Sequence, residues 1–123
     1  MRDAIELAGP AGPLPFSPAV RANGFVFVSG QASVDEAGNI VGGDLAFEFR
    51  RSFEGVQRVL AADGLTLDDV VQVRMYVRDP ADLAEANVLY REWFTPPYPA
   101  RTTLTGCLPE TLRFEVDVVA ARR

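Results

Sequence analysis

The chain has no histidine and no lysine among its 123 residues, and one cysteine, Cys107. Each shortage removes a class of chemistry. Without histidine there is no Ser–His or Cys–His couple and no imidazole ligand for a metal. Without lysine there is no Schiff base and no anchor for pyridoxal phosphate. All twelve basic residues are arginines, which bind and orient anions without giving up a proton. A single cysteine excludes an internal disulfide and a multi-cysteine metal site. No apolar run approaches the roughly 20 residues that cross a bilayer. Met1 is followed by Arg2 and Asp3 rather than by an apolar leader, so a soluble, cytoplasmic protein with no membrane partner is expected. Proton transfer near neutral pH falls to carboxylates, tyrosine, Cys107, backbone groups or water.

Seventeen acidic residues against twelve arginines leave a net charge of −5. That balance argues against a nucleic-acid partner, because phosphate binding needs a basic face. Apolar residues are 48% and charged residues 24% of the chain, as in ordinary globular proteins. The length fits one domain over 1–123, which buries about two-thirds of the surface of its unfolded chain.

The opening, with Gly9, Pro10, Gly12, Pro13, Pro15 and Pro18, reads as loop. Gly24–Gln31 (GFVFVSGQ) is a strand apolar on both faces, and Ile40-Val41 a short return strand after the turn DEAGN. Asp44 caps a helix over roughly 45–62, where Phe49, Phe53, Val56 and Leu60 mark one face and Gly64 ends it. In the next strand Val71, Val73, Met75 and Val77 alternate with Val70, Gln72, Arg74 and Tyr76. Asp79-Pro80 opens a second helix running to about Phe94, with Leu83, Ala86, Tyr90 and Phe94 inward. Strands over 101–107 and 114–121 close the chain. The order β-β-α-β-α-β-β is an α+β fold in which two helices cover one face of a mixed sheet. Val26, Val28, Val70, Tyr76 and Val119 are expected on the other face, and an apolar patch of that kind meets another chain.

Several side chains carry candidate chemistry. Arg101 starts a strand after Pro96, Pro97 and Pro99. Its planar fork suits a carboxylate, although an ion pair or a solvated charge fits the spacing as well. Glu115 and Asp117 share one strand face at about 7 Å separation, from a rise of about 3.3 Å per residue. Their mutual repulsion beside an apolar interface raises at least one pKa, unless Arg74 or Arg113 pairs with them. Ser29 offers a hydroxyl and Gly30 a close backbone approach, or both mark only a strand end. Asn87 lies beside the helix stripe, as a core amide or as a pocket wall. Cys107 reads as a small buried hydrophobe.

The segments FVFVSGQ, ANVLYREWF, YPAR and RFEVDVVAARR, in that order, resemble the Rid family, the YjgF-type enamine/imine deaminases. The resemblance covers nearly the whole chain. It implies a chorismate-mutase-like fold, a homotrimer with sites between subunits, and no cofactor. It also implies a 2-iminobutanoate/2-iminopropanoate deaminase-like hydrolase, which turns 2-imino acids and enamines such as 2-aminoacrylate into 2-keto acids and ammonia. By position, Arg101 matches the carboxylate-binding arginine and Glu115 the glutamate that assists water attack. Ser29 and Asn87 match pocket-lining residues, and backbone donors near Gly30 or Thr103 would support developing charge. Two positions depart from the family pattern: Phe16 stands where tyrosine is frequent, and Thr103 where cysteine is frequent. Both bear on the substrate, and they favour a second function, a non-catalytic regulator that binds small carboxylates on the same trimer. A third, ribonuclease activity, fits poorly with the acidic charge and the missing histidine and lysine.

Overall fold

The computed structural model describes residues 1–7, 12 and 14–123. The opening positions Gly9, Pro10 and Pro13, expected as loop, lie outside the described residues. Strands β1 (Asp3–Ile5), β2 (Ala19–Ala22) and β3 (Phe25–Ala32) precede helix α1 (Leu45–Ala61). Then come β4 (Val70–Val77), α2 (Leu83–Trp93), β5 (Ala100–Thr105) and β6 (Phe114–Ala121). One six-stranded sheet runs in the order β1-β2-β3-β6-β4-β5. Its β4–β5 pair is parallel and the other pairs are antiparallel.

Helix α1 forms where the apolar spacing predicts. Asp44 caps it by accepting the Phe47 N–H at 2.8 Å, and Gly64, at φ +74°, carries the chain out of it. Phe49, Phe53, Val56 and Leu60 are all fully buried against β3 and β6. Phe49 and Phe53 stack near Phe114, with Phe53 also touching Tyr90, Trp93 and Phe94. Phe114, Val116, Val118 and Ala120 of β6 face this core, as the alternation predicts.

Four expectations change. Strands β1 and β2, on either side of the opening that reads as loop, are additions to the expected order; β2 pairs with β3 and β1 with β2. The return strand at Ile40-Val41 is reduced to a single bridge from Val34 to Ile40. Asp79 caps a 3-10 turn over Pro80–Asp82, and α2 begins only at Leu83. Most consequential, Val26, Val28 and Val70 lie in the core, not on the open face. Strand β3 is apolar at every position from Phe25 to Val28, so hydrophobicity alone does not choose its inner face. Pairing of Val28 with Val118 does, and it turns Phe25 and Phe27 outward at 43% and 44% exposure. A bulge between Val70 and Gln72 sends Val70 inward and leaves Val71 44% exposed.

One buried carboxyl group ties the frame together. Glu48 is 1% exposed and accepts the Gly43 and Arg113 backbone N–H groups at 3.3 and 2.9 Å. It thereby fixes the start of α1 to the segment entering β6. Stranding a buried donor costs about 1–3 kcal/mol. Glu48→Ala is therefore expected to lower unfolding stability by about 2–4 kcal/mol, read from urea midpoints at constant m-value. A loss below about 1 kcal/mol would contradict this role.

Candidate functional site

Arg101 sits on β5, at one edge of the sheet, with its Cα opposite the buried Val73 of β4. Residues paired across a ladder share a face, so the side chain of Arg101 lies on the helix side. There its Nη2 donates to the Asn87 Oδ1 at 2.7 Å. Its Cζ lies 4.7 Å from the centroid of the Tyr90 ring, a cation–π arrangement. Both partners come from α2. With Arg91, Tyr98 and Pro99 they line a cleft of about 290 Å³. The amide of Asn87 is thus a wall of the cleft, not a core amide.

The guanidinium has no acidic counterpart among the described residues. The ion pairs among the described residues are Arg21–Asp63, Arg122–Asp63, Arg50–Glu54 and Arg74–Asp117, and none involves Arg101. Burial pushes the Tyr90 phenol up to about 12, opposed by the Arg101 charge. Tyr90 therefore keeps its proton near neutral pH and serves as a platform, not as a base. Its buried hydroxyl finds no partner among the described residues.

Glu115 occupies the opposite face. Its Cα pairs with Tyr76 of β4 and Ala32 of β3. A Cβ on Gly30 would stand 3.0 Å from the Glu115 Oε2, so glycine there lets the carboxylate lie against the β3 backbone. Burial raises the Glu115 pKa, and the charge of Asp117 adds to the rise. Asp117 is engaged elsewhere: Arg74 Nε donates to it at 2.9 Å and the Tyr76 hydroxyl at 2.7 Å. Arg113 Nε donates to the Gly43 carbonyl. Of the two arginines that might have neutralised the carboxylate pair, one holds Asp117 and neither holds Glu115.

The remaining candidates divide between these places. Thr103 is half-buried on β5, two residues from Arg101 and on the same face. The Ser29 hydroxyl donates to the Ser17 carbonyl at 2.6 Å, which fastens β3 to the loop carrying Phe16. Phe16 itself is 63% exposed. Arg101, Asn87 and Thr103 thus gather on the helix side of one edge. Glu115 and Gly30 meet on the open face, with Ser29 beside Gly30 on β3. Cys107, expected to be buried, is exposed, because Gly106 at φ +73° turns the chain out of β5 just before it. Sequence inspection missed Arg91 and Tyr98. Arg91 follows Asn87 by four residues, a spacing that puts both on one helix face. Among the described residues no three His, Cys, Asp or Glu side chains are grouped to hold a metal. Among the same described residues no helix is long and apolar enough to cross a membrane.

The family model described as Endoribonuclease L-PSP matches residues 7–122. A RutC family protein of Pyrococcus horikoshii is 35% identical over 108 residues, covering 86% of both chains. The 2-iminobutanoate/2-iminopropanoate deaminase of Salmonella typhimurium is 32% identical over 118 residues, covering 93% of this chain and 92% of that one. The crystal structure of a Yersinia pestis protein of unknown function from the conserved Rid family superimposes with a TM-score of 0.88 at 26% identity, over 98% and 99% of the two chains. Two helices on one face of a mixed sheet is the chorismate-mutase-like arrangement that the sequence resemblance implies.

The position of Glu115 gives a pH test. Its folded-state pKa lies above the ordinary 4.5, so the folded chain holds this proton more tightly than the unfolded chain does. The associated stability is present below the ordinary carboxylate range and is lost as pH rises through the raised value. Glu115→Gln is therefore expected to gain stability relative to the parent between about pH 4 and pH 7, measured by urea denaturation at both. A difference that stays flat or reverses would contradict the raised pKa.

Proposed function

This chain belongs to the endoribonuclease L-PSP, or Rid, family, and on that footing we propose that it hydrolyses small 2-imino acids and their enamine tautomers to 2-keto acids and ammonia. The observation that carries this reading is the Arg101 guanidinium, set in a cleft on an amide and an aromatic ring with no carboxylate paired to it among the described residues. Such a group suits the one feature all 2-imino acids share, a carboxylate next to the reacting carbon. Fixing that carboxylate supplies proximity and orientation.

Glu115 then acts on water. With its carboxyl ionised it takes a proton as water adds to the imine carbon. It returns that proton to the nitrogen, giving an amino alcohol; it then takes the hydroxyl proton and passes it to the amino group, so that the carbonyl forms as the C–N bond breaks and ammonia leaves. A carboxyl whose pKa is raised is better matched to both transfers near neutral pH. The chemistry needs neither histidine nor lysine, consistent with a sequence that has none.

In this reading the site is shared between copies of the chain in a homotrimer. Arg101 and Glu115 lie on opposite faces of one sheet, and a small imino acid does not reach both within one chain. Covering Phe25, Phe27 and Leu104 on the open face would bring a second copy's Arg101 edge toward Glu115. A second reading, a carboxylate-binding regulator without turnover, is favoured by Thr103 and by the exposed Phe16, where the family pattern differs. Ribonuclease activity, named in the family description, has little support in a chain of net charge −5.

Following loss of 2-aminoacrylate generated by a dehydratase tests the proposal. The parent chain should accelerate it. Arg101→Ala should lower kcat/KM about 10- to 100-fold, the scale of a lost charge-assisted contact. Glu115→Gln should lower kcat about 100-fold while 2-keto acids still bind. No acceleration by the parent, with binding intact and dependent on Arg101, would leave the regulator reading in its place.

A further inference from the structure

We propose that the Arg101 cleft is built for a small dianion, Arg101 holding one carboxylate and Arg91 a second, so that the preferred substrates are 2-imino acids with an acidic side chain. This rests on the reading of Arg101 as a carboxylate hook and narrows the substrate class of the same site.

The cleft contains two guanidinium groups, and one residue holds both. Arg101 donates to the Asn87 side-chain oxygen at 2.7 Å, and Arg91 to the Asn87 backbone carbonyl at 3.4 Å. The second contact is longer than ordinary N–H···O bonds of about 2.7–3.2 Å, so Arg91 is only weakly engaged. Among the described residues neither arginine has a carboxylate within salt-bridge distance. Glu92, next to Arg91 in sequence, lines a different cleft with Phe47, Arg50 and Trp93. Two like charges held on the side chain and the backbone carbonyl of one residue repel each other until anions arrive.

A bland alternative is that Arg91 only complements the C-terminal end of α2, where it occupies the last turn. That role needs no cleft and no second guanidinium. Here Arg91 lines the same cavity as Arg101, together with the rings of Tyr90 and Tyr98 and with Pro99. Apolar walls flanked by two cations fit a short carbon chain with an acid at each end. A monocarboxylate would neutralise one guanidinium and leave the other without a counter-charge.

The test compares 2-oxoglutarate with 2-oxobutanoate, stable keto-acid counterparts of acidic and neutral imino acids, by isothermal titration of the full-length chain in its native assembly. The dicarboxylate is expected to bind about tenfold more tightly, which corresponds to ~1.4 kcal/mol. Arg91→Gln should bring the affinity ratio to about one. Arg101→Ala should abolish binding of both acids, with unchanged circular dichroism showing that each variant folds. Equal binding of the two acids by the parent chain, still lost in Arg101→Ala, would overturn the dianion assignment and leave the imine reading standing. A tenfold preference that survives Arg91→Gln would overturn the role of Arg91. Absence of binding by either acid would overturn both.

Discussion

A guanidinium cannot shed its charge by losing a proton, so wherever a fold encloses one it must find an anion or retain water. In this chain several arginines have found protein acceptors although they stay largely exposed. Arg21 and Arg122 share Asp63, Arg74 holds Asp117, and Arg113 donates to a carbonyl. Arg101 is treated differently. It is oriented by a neutral amide and a ring face, two partners that position a cation without neutralising it. The strand edge, the proline-rich turn before it and the inner stripe of α2 all serve to hold that one group with its charge available.

The sheet gives this arrangement its second property. Away from the bulges side chains alternate between the faces, and the ladder pairs Arg101 with the core-facing Val73 while Glu115 pairs with the outward Tyr76. The two groups most suited to chemistry are therefore separated by the thickness of the sheet. The same alternation leaves phenylalanines at 25 and 27 on the uncovered face, where apolar surface favours association. In the proposed reading, association and assembly of the site are one event, in which the contact that hides the phenylalanines also completes the chemistry. Asp117 contributes by occupying Arg74 and Tyr76, which leaves Glu115 beside a negative charge and without a cation.

How much of this was legible in the residues depended on how unambiguous the local pattern was. Helix α1 was readable because Phe49, Phe53, Val56 and Leu60 repeat at helical spacing behind a capping aspartate. The inward and outward sets of β6 were readable because Glu115 and Asp117 break the apolar run at alternate positions. Strand β3 was not, since FVFV offers no polar residue to mark the solvent side and its facing is set by pairing with β6. The bulge at Val70 is likewise invisible, because neighbouring valines look alike whichever one points inward. Cys107 was misplaced because its exposure depends on the backbone of Gly106. Arg101 was legible as a candidate, but whether a carboxylate within the same chain neutralised it required coordinates, and the role of Arg91 emerged only when both arginines were seen to meet at Asn87.

The most direct measurement is subunit complementation. Arg101→Ala and Glu115→Gln chains, each inactive alone, are mixed, allowed to exchange, and assayed for imino-acid hydrolysis, with exchange verified by native mass spectrometry. A site shared between copies predicts recovery to about a quarter of parental activity, the share of interfaces in a random assembly that join an intact Arg101 to an intact Glu115. Activity that stays at the level of the separate variants, in assemblies shown to be mixed, would contradict the account.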